Sequence, residues 1–137
     1  MKINKLIILI ICCVMFSCNK DTEVSFEFVK SIDIKENFDY PPKLIHKKEQ
    51  LIHIFTQKHK PFYKLKDYIN YEAFDFENFD YLLVFNNELL KIEIAEDECG
   101  YLSKTPVKAI YSEGNKENSY IYVYKIFDKN KYRDLCP

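Results

Sequence analysis

The residues best suited to chemistry are three histidines that lie close together, His46, His53 and His59. His46 and His53 stand seven positions apart, so a continuous helix would place them on one side, with Glu49 between them. Imidazoles joined by a carboxylate can hold a metal, and a small metal-assisted hydrolase would use such a centre. The compact His-Glu-x-x-His pairing is missing, however, and Pro61 interrupts any helix beside His59. The expectation is therefore surface histidines and no bound metal. Glu96-Asp97-Glu98 and Asp128-Lys129-Asn130 offer oxygen ligands but lack the spacing of a calcium loop, so both are expected to be solvated turns. Acids are plentiful enough for a glycosidase pair, yet nothing selects two of them. A Gly-x-Ser-x-Gly elbow is absent. With Gly100 and Gly114 as the only glycines, phosphate loops and dinucleotide fingerprints are excluded, because both need several close backbone approaches. No catalytic residue and no cofactor are expected.

A different kind of site is offered by Tyr120, Tyr122 and Tyr124, which alternate with Ile121 and Val123. On a strand, such residues share one face. Rings with polar tips suit a protein or sugar surface. The same row would equally serve as a packed sheet face. Charge falls in blocks: residues 43–66 carry seven Lys against one Glu, residues 67–98 ten acids against one Lys, and residues 99–137 seven basic against four acidic residues. Such blocks either steer a charged partner or neutralise one another across the fold. A net charge of −1 argues against a nucleic-acid partner.

The start of the chain is of another character. Lys2 and Lys5 precede an uncharged run, Leu6 to Phe16. That run is too short to span a bilayer, which takes ~20 apolar residues, and it has the form of an export signal. Met15-Phe16-Ser17-Cys18 resembles a lipobox, with Phe16 departing from the strict pattern in the manner of Bacteroidota lipoproteins. The resemblance covers about the first twenty residues. It implies cleavage before Cys18, a diacylglyceryl thioether on that sulfur, and attachment to a membrane of the cell envelope, the outer more than the inner. The expected organisation is a signal peptide over 1–17, a lipidated tether over 18–23 and one domain over 24–137. Stable attachment needs two or more acyl chains, since one alone is marginal. Cys12 and Cys13 leave with the signal. Cys99 and Cys136 then form an even pair in an oxidising compartment, and a disulfide between them is expected.

The elements follow from periodicity. Val24, Phe26 and Phe28 alternate as a strand. A helix is expected over 47–58, burying Leu51, Ile52 and Phe55, with Pro61 beyond its end. The stretch 62–71 reads as a short helix or an aromatic loop. Tyr81–Phe85 is a buried strand. Asn86-Asn87 predicts a tight hairpin turn to a return strand over 90–94. Val107–Tyr111 and 119–127 complete the strands. This order predicts an α+β fold: one small twisted antiparallel sheet with one main helix on a face.

The stretch Phe74-Asp75-Phe76-Glu77-Asn78-Phe79-Asp80-Tyr81-Leu82-Leu83-Val84, between a helix and later hairpins, resembles the C-terminal domain of PrcB-like protease-complex lipoproteins over about residues 47–127. Only Gly100-Tyr101 stands near the place of that family's Gly-Gly-Tyr segment. The resemblance implies protein binding. The leading expectation is a membrane-tethered, non-catalytic protein-binding domain. The alternatives are a glycan or small-ligand binder using the tyrosine face, and the metal-assisted hydrolase.

Overall fold

The computed structural model describes residues 23–34, 40–58, 60–95, 99, 106–113 and 120–135. It is an α+β fold in which a four-stranded antiparallel sheet has cover on both faces. The strands are β1 (Phe26–Asp33), β2 (Lys43–Ile45), β3 (Asp80–Phe85) and β6 (Tyr120–Ile126), in the order β1-β6-β3-β2. Strands β4 (Leu89–Ile94) and β5 (Val107–Tyr111) form a separate two-stranded sheet. Helix α1 (Lys48–Thr56) and the 3-10 segment Pro61–Tyr68 lie on one side.

Strand β3 shows why the core is double. All six of its residues are buried. Tyr81, Leu83 and Phe85 pack with Leu51, Phe55 and Phe62 on the helix side. Leu82 and Val84 pack with Ile92, Val107 and Tyr124 on the β4–β5 side. A strand covered on both faces reads as a continuous apolar run, as this one does.

Helix α1 begins without a Ser or Asp cap. The Gln50 side chain reaches back instead, its Oε1 accepting from His46 N at 2.7 Å and Lys47 N at 3.1 Å. Two orphan amides are satisfied in this way. Leu51, Ile54 and Phe55 form its buried stripe. Ile52, expected in that stripe, is only half-buried, because i, i+3 and i+4 share a face and i+1 does not.

The predicted hairpin between β3 and β4 is not formed. Asn86 does adopt the left-handed conformation, with φ of 66°. Its backbone N–H donates to Tyr120 O at 2.9 Å, and its side-chain Oδ1 accepts from Tyr120 N at 3.3 Å. The residue thus extends the pairing of β3 with β6, and the chain then leaves the sheet. Strand β4 pairs with β5 in the second layer, and Val24 N donates to Ile92 O at 3.0 Å, tying the approach to β1 onto that layer. Strand β2, unforeseen in the sequence, has three residues and pairs with β3.

Candidate functional site

Two features stand out: a buried polar cluster around Asp80, and a cleft between β2 and α1. Asp80 opens β3 and is 0% exposed. Its Oδ2 accepts from the Tyr132 hydroxyl at 2.8 Å and from Arg133 Nε at 3.4 Å, and its Oδ1 accepts from Arg133 Nη2. His46 Nδ1 lies 2.9 Å from Oδ2. Arg133 Nη2 also reaches the His46 carbonyl at 3.5 Å.

Burial alone would raise the Asp80 pKa. The contacts with His46, Arg133 and Tyr132 outweigh it and hold the carboxyl below its ordinary value. The Tyr132 hydroxyl is pushed far up, first by burial and then by the Asp80 charge, so it remains a donor. The cluster joins three places: the start of β3, the corner between β2 and α1, and the 3-10 turn around Lys129–Lys131. Among the described residues no hydroxyl or thiol is hydrogen-bonded to the His46 imidazole. Through these contacts the cluster ties the three places together as a clamp.

The cleft has a volume of about 470 Å³ and is lined by residues of β2 and α1 together with Tyr40. Leu44, Ile45 and Ile54 give it apolar walls, while Lys43, Glu49, His53 and Gln57 supply polar and charged groups. Tyr40 is fixed edge-on against Phe62 and Phe85, with ring centroids 5.4 and 5.1 Å away. Gln57 Nε2 lies 2.8 Å from His53 Nε2.

The sequence candidates are distributed across the molecule. His46 belongs to the Asp80 clamp and His53 to the cleft, while His59 lies outside the described residues. Among the described residues no group of three His, Cys, Asp or Glu side chains is placed to hold a metal. Glu96-Asp97-Glu98, Cys18 and Cys136 lie outside the described residues; Cys99 is half-buried. Asp128 takes a left-handed φ of 55° and pairs with Lys131 at 3.5 Å.

The row Tyr120, Tyr122 and Tyr124 is not one open face. Tyr124 is 4% exposed, packs in the inner core, and accepts a hydrogen bond from Leu89 N at 2.9 Å. Tyr122 is half-buried against the same layer. Tyr120 is half-buried, its ring 6.0 Å from that of Tyr122. The physical reason is the second sheet: with β4 and β5 lying over it, the tyrosine side of β6 is core.

Sequence reasoning passed over Asp80 and Tyr40. Asp80 left one trace, a carboxylate directly abutting the apolar run that follows it. No family model matches the chain, and neither a curated protein nor a solved structure is significantly similar to it.

Proposed function

We propose that the chain is a lipoprotein of the cell envelope, anchored at Cys18 to a membrane, the outer in preference to the inner. On this reading its domain binds another protein and does no chemistry itself. The anchoring half is supported by the short apolar leader and by Met15-Phe16-Ser17-Cys18. The binding half is carried by one observation, the cleft between β2 and α1. A groove flanked by a sheet-edge strand and a helix is a recurring place for an extended peptide. Its walls combine apolar side chains with polar groups that can fix an orientation. The likeness of residues 74–84 to PrcB-like lipoproteins points the same way.

Two experiments test the halves separately. Radiolabelled palmitate supplied to producing cells should label the protein, and Cys18→Ser should abolish the label; labelling that survives the substitution would end the anchoring half. A photo-crosslinking side chain introduced at Gln57, in the cleft, should give a discrete product in intact envelopes, whereas the same group at exposed Asn130 should give none. Equal products at both positions, or none at either, would overturn the binding half.

The Cys99–Cys136 pairing belongs to the same proposal, because disulfides persist in exported proteins.

A further inference from the structure

The β4–β5 sheet has two sides. Ile92, Val107 and Ala109 pack toward the four-stranded sheet. The other side follows from the register. Lys91 pairs with Ile110 and Glu93 with Lys108, while Ile92, between them, pairs with Ala109. Alternation along each strand places Lys91, Glu93, Lys108 and Ile110 away from that core. Leu90 is the extra residue of a bulge, next to the Lys91–Ile110 pair. It is 60% exposed, and Ile110 is 37% exposed. Charge on this face is balanced. Lys91 Nζ lies 2.6 Å from Glu93 Oε1, Glu93 also feels the Lys108 charge, and Lys91 that of Glu23. The chain enters the domain at the same place. Glu23 pairs with Glu93 in an isolated bridge, and Val24 N donates to Ile92 O at 3.0 Å. Glu23 follows Cys18 by five residues, a reach of at most about 18 Å when fully extended.

From this placement we infer that the outer face of the β4–β5 sheet lies on the phospholipid surface of the membrane that holds the anchor. Leu90 and Ile110 enter the headgroup layer. Lys91 and Lys108 donate to lipid phosphates, and Glu23 and Glu93 accept from ethanolamine ammonium groups. The inference rests on anchoring at Cys18 and adds the orientation of the domain. Two apolar side chains bury too little area to hold a free protein on a bilayer. A lipid five residues before Glu23 changes that, because a short tether makes the second contact intramolecular and raises its effective concentration. The balanced charge matches a surface that itself carries phosphate and ammonium groups side by side. Helix α1 lies on the opposite side of the main sheet, so this orientation leaves the β2–α1 cleft facing away from the bilayer and open to a partner.

The test uses the full lipidated chain in vesicles of phosphatidylethanolamine and phosphatidylglycerol that contain a phospholipid radiolabelled in its acyl chain. A photo-crosslinking side chain at Ile110 should take up the labelled lipid. The same group at exposed Tyr68, in the 3-10 segment on the other side of the main sheet, should take up none. Ile110→Asp should abolish the lipid adduct formed from a crosslinker at Leu90, with circular dichroism confirming the fold. Palmitate labelling of the same preparation separates the two readings. Without palmitate, the anchor falls and takes the inference with it. With palmitate present, the inference alone is overturned by any of three results: no lipid adduct at Ile110, equal adducts at Ile110 and Tyr68, or a Leu90 adduct that survives Ile110→Asp. In intact envelopes, a protein adduct at Ile110 in place of the lipid one would give the face to a protein partner and overturn it as well.

Discussion

Asp80 concentrates more consequence than any other side chain described. A carboxylate with no exposure persists because a guanidinium and a phenol hydroxyl answer it. Removing one side of such a pair strands the other. Asp80→Ala should therefore cost about 3–5 kcal/mol in urea unfolding. Tyr132→Phe removes a single donor to a charged acceptor and should cost about 1.5–3 kcal/mol. The pH dependence has a definite sign. The folded-state pKa of Asp80 lies below its ordinary value, so the native protein holds its proton less tightly than the unfolded chain does. Its stabilising contribution is full above the ordinary carboxylate range and disappears as pH falls through the lowered value. The urea midpoint of the parent protein should drop on acidification, and Asp80→Asn should flatten that drop. A variant that keeps the full acid-side loss would show that other carboxylates carry it.

At the scale of elements, Asn86 decides where the chain goes after β3. It is one of the two non-glycine residues with positive φ among those described. A β-branched side chain there meets steric cost, so Asn86→Val should destabilise by about 1–3 kcal/mol, whereas Asn86→Gly keeps the backbone conformation and should cost less. A thermal melt of the two variants gives the order. This position also shows how far the sequence could be read. The pattern from Tyr81 to Ile94 announced two strands and a residue tolerant of positive φ, and all three are there. What it could not announce was the partner. Asn86 hydrogen-bonds to Tyr120, thirty-four positions away, and local pattern carries no information about that distance. The tyrosine strand was legible as a strand for the same reason, and its surroundings were not, since β4–β5 cover it from elsewhere in the chain. Helix α1 was legible to within about two residues at each end because its periodicity and its stop are local, although Ile54 and not Ile52 completes its buried stripe. The clamp and the cleft were not, as each joins side chains from separate elements.

For the whole molecule, the proposed Cys99–Cys136 bridge yields a chemical test. Intact mass under non-reducing conditions should fall by two hydrogens relative to the reduced protein, with the bond mapped to Cys99 and Cys136. Cys136→Ser should then lower stability by up to ~4 kcal/mol on the chain-entropy account. Unchanged melting in the presence of reductant would remove the bridge from the stability argument.

The clamp also bears on timing. Tyr132 and Arg133 follow Asp80 by 52 and 53 positions, so a chain made from its N-terminal end has its aspartate long before the groups that neutralise it. Until they arrive, closing the sheet would enclose a carboxylate with only His46 beside it, and the nascent polypeptide should stay loose. A product halted after Lys131 should be digested rapidly by protease while the full chain resists. On the export reading proposed above, the chain would pass through a translocon before compacting, and such a delay would be an asset.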